Sequence, residues 1–210
     1  MSEDIPADFA EDKPAPARKR PRPGERRQQI LQTLAGMLEQ PGAERVTTAA
    51  LAARIGVSEA ALYRHFASKA QMFEALIEFV EQSCMGLIRQ VTDREPAGAT
   101  QAARIVALIL QFAEKNPGMC RVMTGDALIL EHERLQQRVN LLMDKIEAQL
   151  RQSLREAHAQ SATPSVDTQV AAAVLLAFAL GRLQRFVRSG FTRLPTEQLQ
   201  ACLARLLPTP

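Results

Sequence analysis

Apolar side chains recur every three or four positions over most of this chain, and that spacing predicts helices. Alternation of apolar and polar residues, the pattern of a half-buried strand, does not compete with it. Proline and glycine pairs punctuate the pattern and mark helix ends. We therefore predict an all-α fold with a long helix beginning at residue 68 and further helices over 24–39, 58–64, 100–115, 117–130, 131–159, 166–189 and 195–207.

Residues 47–66 carry the residue spacing of a helix-turn-helix. A small side chain at Ala52 lets two helices approach each other closely. Gly56, four positions later, is a residue that can adopt a left-handed turn, and Leu62 is expected to anchor the second helix in the core. The segment is therefore predicted to form a DNA-binding motif.

Side-chain oxygens stand where both helices of this motif begin. Thr47 or Thr48 is expected to cap the first helix and Ser58 the second, because each offers an acceptor to free backbone N–H groups. The second helix then runs from Ser58 to about Arg64. A helix of this kind docks in the major groove, so we expect it to be the element that reads DNA.

Charge is distributed unevenly along the chain. Residues 1–12 hold five acids and no base, residues 13–70 hold eleven Lys or Arg against four acids, and residues 71–210 hold fifteen against fourteen. A basic block beside a groove-reading motif is the footprint expected for phosphate neutralisation, although a charge run can also be merely a solvated tail.

Three regions follow from these patterns. Residues 1–23, acidic and proline-rich and then basic, are expected to be a disordered tail. Residues 24–67 are expected to form a three-helix, helix-turn-helix DNA-binding domain. Residues 68–207 are expected to form a larger helical domain for dimerisation and partner binding.

The segment Val170–Gly181 is apolar on all sides. A helix without a polar face must be buried in the core or against another subunit, and this run is about half as long as a bilayer span requires. Residues 131–159 add a narrow apolar stripe with charged flanks. Two such helices from each subunit would make a twofold bundle, so we predict a homodimer that matches palindromic DNA and does not enter a membrane.

Other chemistry finds little support in the sequence. Cys84, Cys120 and Cys202 are far apart and lack metal-ligand spacing, which favours a reducing cytoplasm. His132 stands between two glutamates, but adjacent helical residues point to different faces, so we expect no metal. Neither a phosphate-binding glycine loop nor a nucleophile motif is recognisable, and we expect no cofactor and no enzymatic activity.

The predicted reading helix offers few donors to base edges. Ser58, Glu59 and Ala60 begin it, and Arg64 is its long base-reading side chain. Arg64 suits either a bidentate contact to guanine or a phosphate contact, and the sequence leaves both open. Other basic side chains are expected to clamp phosphates; they are Arg26, Arg27 and Lys69.

The phrase LYRHFASKAQMF, which follows the turn of the motif, closely resembles the TetR family of dimeric regulators. This resemblance implies that Tyr63 and His65 lie near phosphates and that Lys69, which opens the next helix, contacts the DNA backbone. It also implies that Thr47 and Thr48 cap the first helix of the motif and touch phosphate.

A wider resemblance covers most of residues 24–195. The segments EKNPGMCRVMTGDALILEHERLQQRVNLLMDKIEAQLRQSLRE and RFVRSGF are similar to the nucleoid occlusion factors of the SlmA type, a divergent branch of the TetR family. The resemblance implies a nucleoid-associated protein that binds chromosomal palindromes as dimers and, when bound to DNA, antagonises assembly of the tubulin-like division protein FtsZ. Higher-order assembly on DNA remains open.

The resemblance also suggests a surface for the protein partner. Phe79 lies roughly 120° from the centre of the apolar stripe on its helix, so it belongs either to an interface or to packing under the DNA-binding domain. Leu108, Lys115 and Asn116 match positions near the partner groove of the SlmA type.

An alternative function is a transcriptional repressor that a small ligand releases from DNA. Ligand pockets usually combine apolar walls with convergent polar and aromatic groups. This chain has no Trp and a single Tyr, which lies in the predicted DNA-binding motif, so the composition disfavours such a pocket.

Overall fold

The computed structural model describes residues 24–40, 46–160 and 167–207, and helices joined by turns and short connections make up this part of the chain. The order is α1 Glu25–Leu38, α2 Thr48–Ile55, α3 Glu59–Tyr63, α4 Lys69–Arg94, α5 Gly98–Lys115, α6 Pro117–Met123, a 3₁₀ turn Asp126–Leu128, α7 Glu133–Gln160, α8 Thr168–Arg188 and α9 Leu199–Leu206. The predicted all-α fold is confirmed for these residues. The predicted tail, residues 1–23, lies outside them.

Short side-chain caps fix where several helices begin. Thr47 caps α2 by accepting a hydrogen bond from the Ala50 N–H, and Ser68 caps α4 in the same way from the Gln71 N–H. Asp167 accepts from two N–H groups in the first turn of α8. Pro117 opens α6, where its missing N–H costs nothing.

Two predicted boundaries were wrong. The helix predicted over 117–130 ends at Met123, because Thr124 turns its hydroxyl back to the Cys120 carbonyl and Asp126 pairs with Arg121 at 2.5 Å. The helix predicted over 195–207 begins only at Leu199.

The segment before α9 is held in a non-helical path from both sides. Arg182 donates to the Pro195 carbonyl at 3.1 Å and also to the Glu197 carbonyl, and the Thr196 hydroxyl donates to Glu114 on α5. These contacts satisfy backbone and side-chain groups that an extra helical turn would otherwise use, so the helix starts late.

One continuous core runs from the first helices to α9. It includes Ile30, Leu62, Phe73, Leu110 and Leu183, all with at most 1% of their surface exposed. α5 packs on α7, α7 packs on α8, and α4 lies against both α5 and α7, while α6 connects this bundle to α1. The division of the chain after residue 67 stays a prediction.

Thr168–Arg188 (α8) is, among the described helices, the one whose length and mean hydropathy of 1.6 would suffice to cross a bilayer. One side of it packs in the core through Ala172, Leu175, Ala179 and Leu183. The core helix of a globular bundle has the same composition.

Candidate nucleic-acid interface

The helix-turn-helix is assembled as its spacing predicts. Gly56 ends α2 in the left-handed conformation, with φ 77°, and its N–H closes the last turn on the Ala52 carbonyl. Leu51, Ala52 and Leu62 are buried between the two helices. The Ser58 hydroxyl accepts from the Ala61 N–H at 3.3 Å and so fixes the start of α3. The reading helix is therefore held rigidly on the domain.

Glu59 does not stand free at the start of α3. Its carboxylate accepts a hydrogen bond of 2.6 Å from the Thr48 hydroxyl, which ties the beginnings of α2 and α3 together. Thr47, and not Thr48, is thus the cap of α2. Glu59 and Thr48 support the motif, and a contact of either with DNA stays a prediction.

Tyr63 and Arg64 lie at the exposed C-terminal end of the reading helix. Tyr63 is 46% exposed, Arg64 is exposed as well, and His65 follows it on the surface. Within the described ranges no hydrogen bond or ion pair occupies the side chains of Tyr63 and Arg64. Both are free to meet an anionic partner. Ala60, also exposed, leaves room for close approach.

Arg27 has a structural contact that the sequence did not reveal. Its guanidinium donates to the His65 carbonyl at 3.0 Å and lies 4.1 Å from the centroid of the Phe66 ring. Arg27 thereby fastens α1 to the residues that follow the reading helix. Arg26 donates to Gln29 one turn along α1. Phosphate contacts by these two arginines stay predictions.

Lys69 is the side chain whose surroundings differ most from the expectation. Its ammonium group forms an ion pair with Glu131, and the two side chains are only 19% and 12% exposed. The same ammonium lies 5.6 Å from the centroid of the Phe73 ring. Lys69 is therefore already engaged in the structure, although its position at the first residue of α4 agrees with the expectation.

The residues of the predicted partner surface lie on α4 and on α5 with its C-terminal end. Phe79 is 51% exposed and Lys115 is exposed, while Leu108 and Asn116 are half-buried. α4 and α5 run in opposite directions and pack together. At 1.5 Å per residue, Phe79 lies about 22 Å before the end of α4 and Lys115 about 26 Å after the start of α5, so the two are at similar heights.

Asn116 also forms part of the turn between α5 and α6. It ends α5, precedes Pro117 at the start of α6, and donates from its side-chain amide to the Phe112 carbonyl at 2.7 Å. Asn116 thus shapes the turn from which α6 departs.

α6 carries a contact with the DNA-binding motif that sequence reasoning missed. Gly118 lies so close to α1 that an added Cβ would stand 2.2 Å from the Ala35 carbonyl oxygen. Arg121, held by Asp126, donates to the Leu38 carbonyl at the end of α1 at 3.4 Å. The sequence contained one hint of this contact, because Gly118 directly follows Pro117 at the start of α6. A glycine there allows another helix to come close, but the sequence does not show which helix does.

α8 leaves an apolar face uncovered in the single chain. The exposed positions recur at spacings of three and four residues and so share one side of the helix; they are Val170, Ala173, Val174, Ala177 and Gly181. Val170 and Val174 are 57% and 45% exposed. The sequence predicted that this helix is buried in the core or against another subunit. In the single chain the core covers only one of its sides. This exposed side is called the α8 face below.

Two of the three cysteines, Cys84 and Cys120, are buried. Burial raises the pKa of Cys84 and of Cys120 to about 12, so both thiols stay protonated near neutral pH. No group of three or more His, Cys, Asp or Glu in the described part of the chain is arranged to hold a metal ion.

Comparison with family models matches both parts of the chain. Residues 30–76 match the bacterial regulatory proteins of the tetR family, and residues 98–207 match the tetracyclin repressor-like, C-terminal domain of the SlmA-like type. The second match alone covers more than half of the chain.

Curated relatives extend this similarity over nearly the full length. The chain is 51% identical over 174 residues to the nucleoid occlusion factor SlmA of Alteromonas mediterranea, which covers 82% of this chain and 89% of the relative. It is 51% identical over 173 residues to the nucleoid occlusion factor SlmA of Vibrio cholerae, with 81% and 88% covered.

Solved structures of more distant proteins share the fold. The TetR family transcriptional regulator PfmR from Thermus thermophilus superposes with a TM-score of 0.70 at 22% identity, covering 85% of this chain and 96% of its own. The fatty acid degradation regulator FadR from Bacillus halodurans gives 0.73 at 16% identity, covering 88% and 95%.

Proposed function

Because the chain belongs to the TetR family and, within it, to the nucleoid occlusion factors of the SlmA type, we propose that it binds chromosomal palindromes as a homodimer and there inhibits FtsZ assembly. The observation that carries this proposal is identity of about one half across both parts of the chain, combined with an open reading helix. The protein would act on the nucleoid, in the cytoplasm, where it couples division to chromosome segregation.

Support for DNA binding comes from the shape and charge of the first domain. α3 is short, capped at Ser58 and anchored by the buried Leu62, and it leaves Tyr63 and Arg64 exposed at its end. Exposed hydroxyl and guanidinium groups suit phosphates and base edges. Sequence preference then rests on few base contacts, with DNA shape and half-site spacing supplying the rest.

Support for a homodimer comes from the α8 face. Small and β-branched side chains repeat there over three turns, so two copies of α8 can approach each other closely around a twofold axis. α7, which packs on α8, carries a further exposed apolar side chain, Leu141. A twofold dimer carries two reading helices, which is the symmetry of a palindrome.

Support for a protein partner comes from Phe79. Phe79 is half exposed on α4, away from the buried stripe of that helix, and so offers an apolar contact to a partner. Lys115, on α5 at a similar height, is exposed as well and offers a positive charge. Both residues lie on the α4–α5 pair, away from the reading helix, so DNA and FtsZ would occupy different surfaces.

The ligand-released repressor is the weaker alternative. Relatives of about 50% identity are nucleoid occlusion factors, and the regulators with other names share only the fold at 22% identity or less. A small molecule that releases the protein from its operator would be needed to support it.

Substitutions at the end of the reading helix should separate base contacts from phosphate contacts. Arg64→Ala is expected to weaken cognate binding by about 1–3 kcal/mol and to reduce the preference for cognate over unrelated duplex, whereas Tyr63→Ala should weaken both equally. Fluorescence anisotropy with both duplexes over a salt series measures this. If Arg64 instead contacts phosphate, the preference stays and the salt slope falls by about 0.9 per subunit.

The partner surface has a direct test in FtsZ sedimentation. With cognate duplex present, the wild-type protein is expected to reduce the pelleted FtsZ polymer, and Phe79→Ala should abolish that effect at unchanged DNA affinity. Gln90→Ala, an exposed position further along α4, is the matched control and should behave as wild type. Polymers that pellet normally with wild-type protein and DNA would refute the proposed function, and loss of DNA binding in Phe79→Ala would refute the division of surfaces.

A further inference from the structure

The ion pair between Lys69 and Glu131 joins the first residue of α4 to the connection that precedes α7. Lys69 follows the reading helix by only a few residues, and Glu131 lies in the connection between the 3₁₀ turn and α7, where its N–H is fixed to the Leu128 carbonyl at 3.0 Å. The two side chains are largely shielded from water, so salt screens this pair less than a surface pair.

This pair differs from the ion pairs between α4 and α7. Further along, α4 supplies the acid: Glu74 pairs with Arg134 at 2.9 Å, and Glu81 pairs with Lys145. At Lys69 the charges are the other way round, because α4 supplies the cation, at its first residue, and the connection before α7 supplies the acid. A cation there is opposed by the helix dipole, which favours anions at an N-terminus. The position needs an anionic partner, and Glu131 provides one.

We propose that Glu131 is an internal competitor of DNA, which holds the Lys69 ammonium group in the free protein and yields it to a phosphate when DNA binds. The inference rests on the proposed DNA-binding function. A lysine has one ammonium group, and a carboxylate and a phosphate are alternative anions for it. Glu131 in addition repels an approaching phosphate, since both are negative.

Binding to DNA is then coupled to α7. When a phosphate takes Lys69, Glu131 loses its partner, and the connection at the head of α7 is released from α4. By thermodynamic reciprocity, whatever stabilises the Lys69–Glu131 pair weakens DNA binding to the same extent. Glu131 thus sets the affinity of the protein for DNA of any sequence, because phosphates carry no sequence information.

The test is Glu131→Gln, which keeps the size of the side chain and removes its charge. Fluorescence anisotropy is expected to show about three- to tenfold tighter binding to cognate and unrelated duplexes alike. Glu74→Gln is the matched control: it removes an equal charge from the same helix pair, away from the reading helix, and should bind as wild type. Circular dichroism and thermal melting of each variant verify the fold.

The double variant isolates the cause. In a Lys69→Ala background, Glu131→Gln is expected to change the affinity by less than about twofold, because the competition no longer exists. Unchanged or weaker binding by Glu131→Gln would overturn the inference, as would an equal gain in the Lys69→Ala background. Failure of the wild-type protein to bind any duplex would instead refute the proposed function.

Discussion

Replacing Val174 by aspartate is expected to convert the dimer into monomers and to lower the affinity for a palindromic duplex by at least about a hundredfold. Val174 lies in the middle of the α8 face and is 45% exposed in the single chain. In the proposed dimer it is covered by the partner, so the substitution buries two unpaired carboxylates at the twofold axis. A monomer has only one reading helix, so it can contact only one half-site and bivalent binding is lost.

Size-exclusion chromatography with light scattering and anisotropy on full-palindrome and half-site duplexes measure both effects. Gln90→Asp adds the same charge at an exposed position of α4 and should remain a dimer with near wild-type affinity. Half-site affinity should be similar in the two variants, since α3 is untouched. A Val174→Asp protein that stays dimeric would place the dimer interface elsewhere.

Local rules were sufficient for the helix-turn-helix. The small Ala52, the left-handed Gly56 and the cap at Ser58 each act within a few residues, so their spacing predicts both helices and the turn between them. The helix-forming periodicity of α4 and α7 is equally local, and it predicted the start of α4 and both ends of α7 to within two residues.

Contacts between distant segments could not be predicted in the same way. Lys69 and Arg27 bind residues that are 62 and 38 positions away along the chain, and a charged side chain alone does not indicate its partner. The wrong end of α6 has a different cause, because there a local pair of Asp126 with Arg121, five residues apart, stabilises a turn where propensity alone would continue the helix.

The α8 helix shows where pattern and structure complement each other. Its uniform apolar composition predicted burial on all sides but left open whether the core or a second subunit provides it. The structure covers only the side of Leu175 and Leu183 and leaves Val174 exposed. The fold of one chain thus distinguishes the core side from the side available to a partner, which the sequence could not do.

Gly118→Ala is expected to destabilise the protein by about 1–3 kcal/mol and to weaken DNA binding, although it adds only one methyl group. The new Cβ would stand 2.2 Å from the Ala35 carbonyl oxygen, a backbone atom that cannot move without displacing α1. α1 in turn positions the motif, since Arg27 on α1 holds the His65 carbonyl directly after the reading helix. A displacement of α1 by the added methyl group would therefore also shift the residues that hold the reading helix.

Gly86→Ala provides the matched control, because a Cβ at this position in α4 meets no atom within 4 Å. Alanine is the better helix former, so this variant should gain up to about 1 kcal/mol. In a chain of this size, 1 kcal/mol shifts the midpoint of thermal unfolding by about 2–4 °C, so differential scanning calorimetry should resolve shifts of opposite sign. If Gly118→Ala melts and binds DNA as wild type does, the contact between α6 and α1 does not position the reading helix.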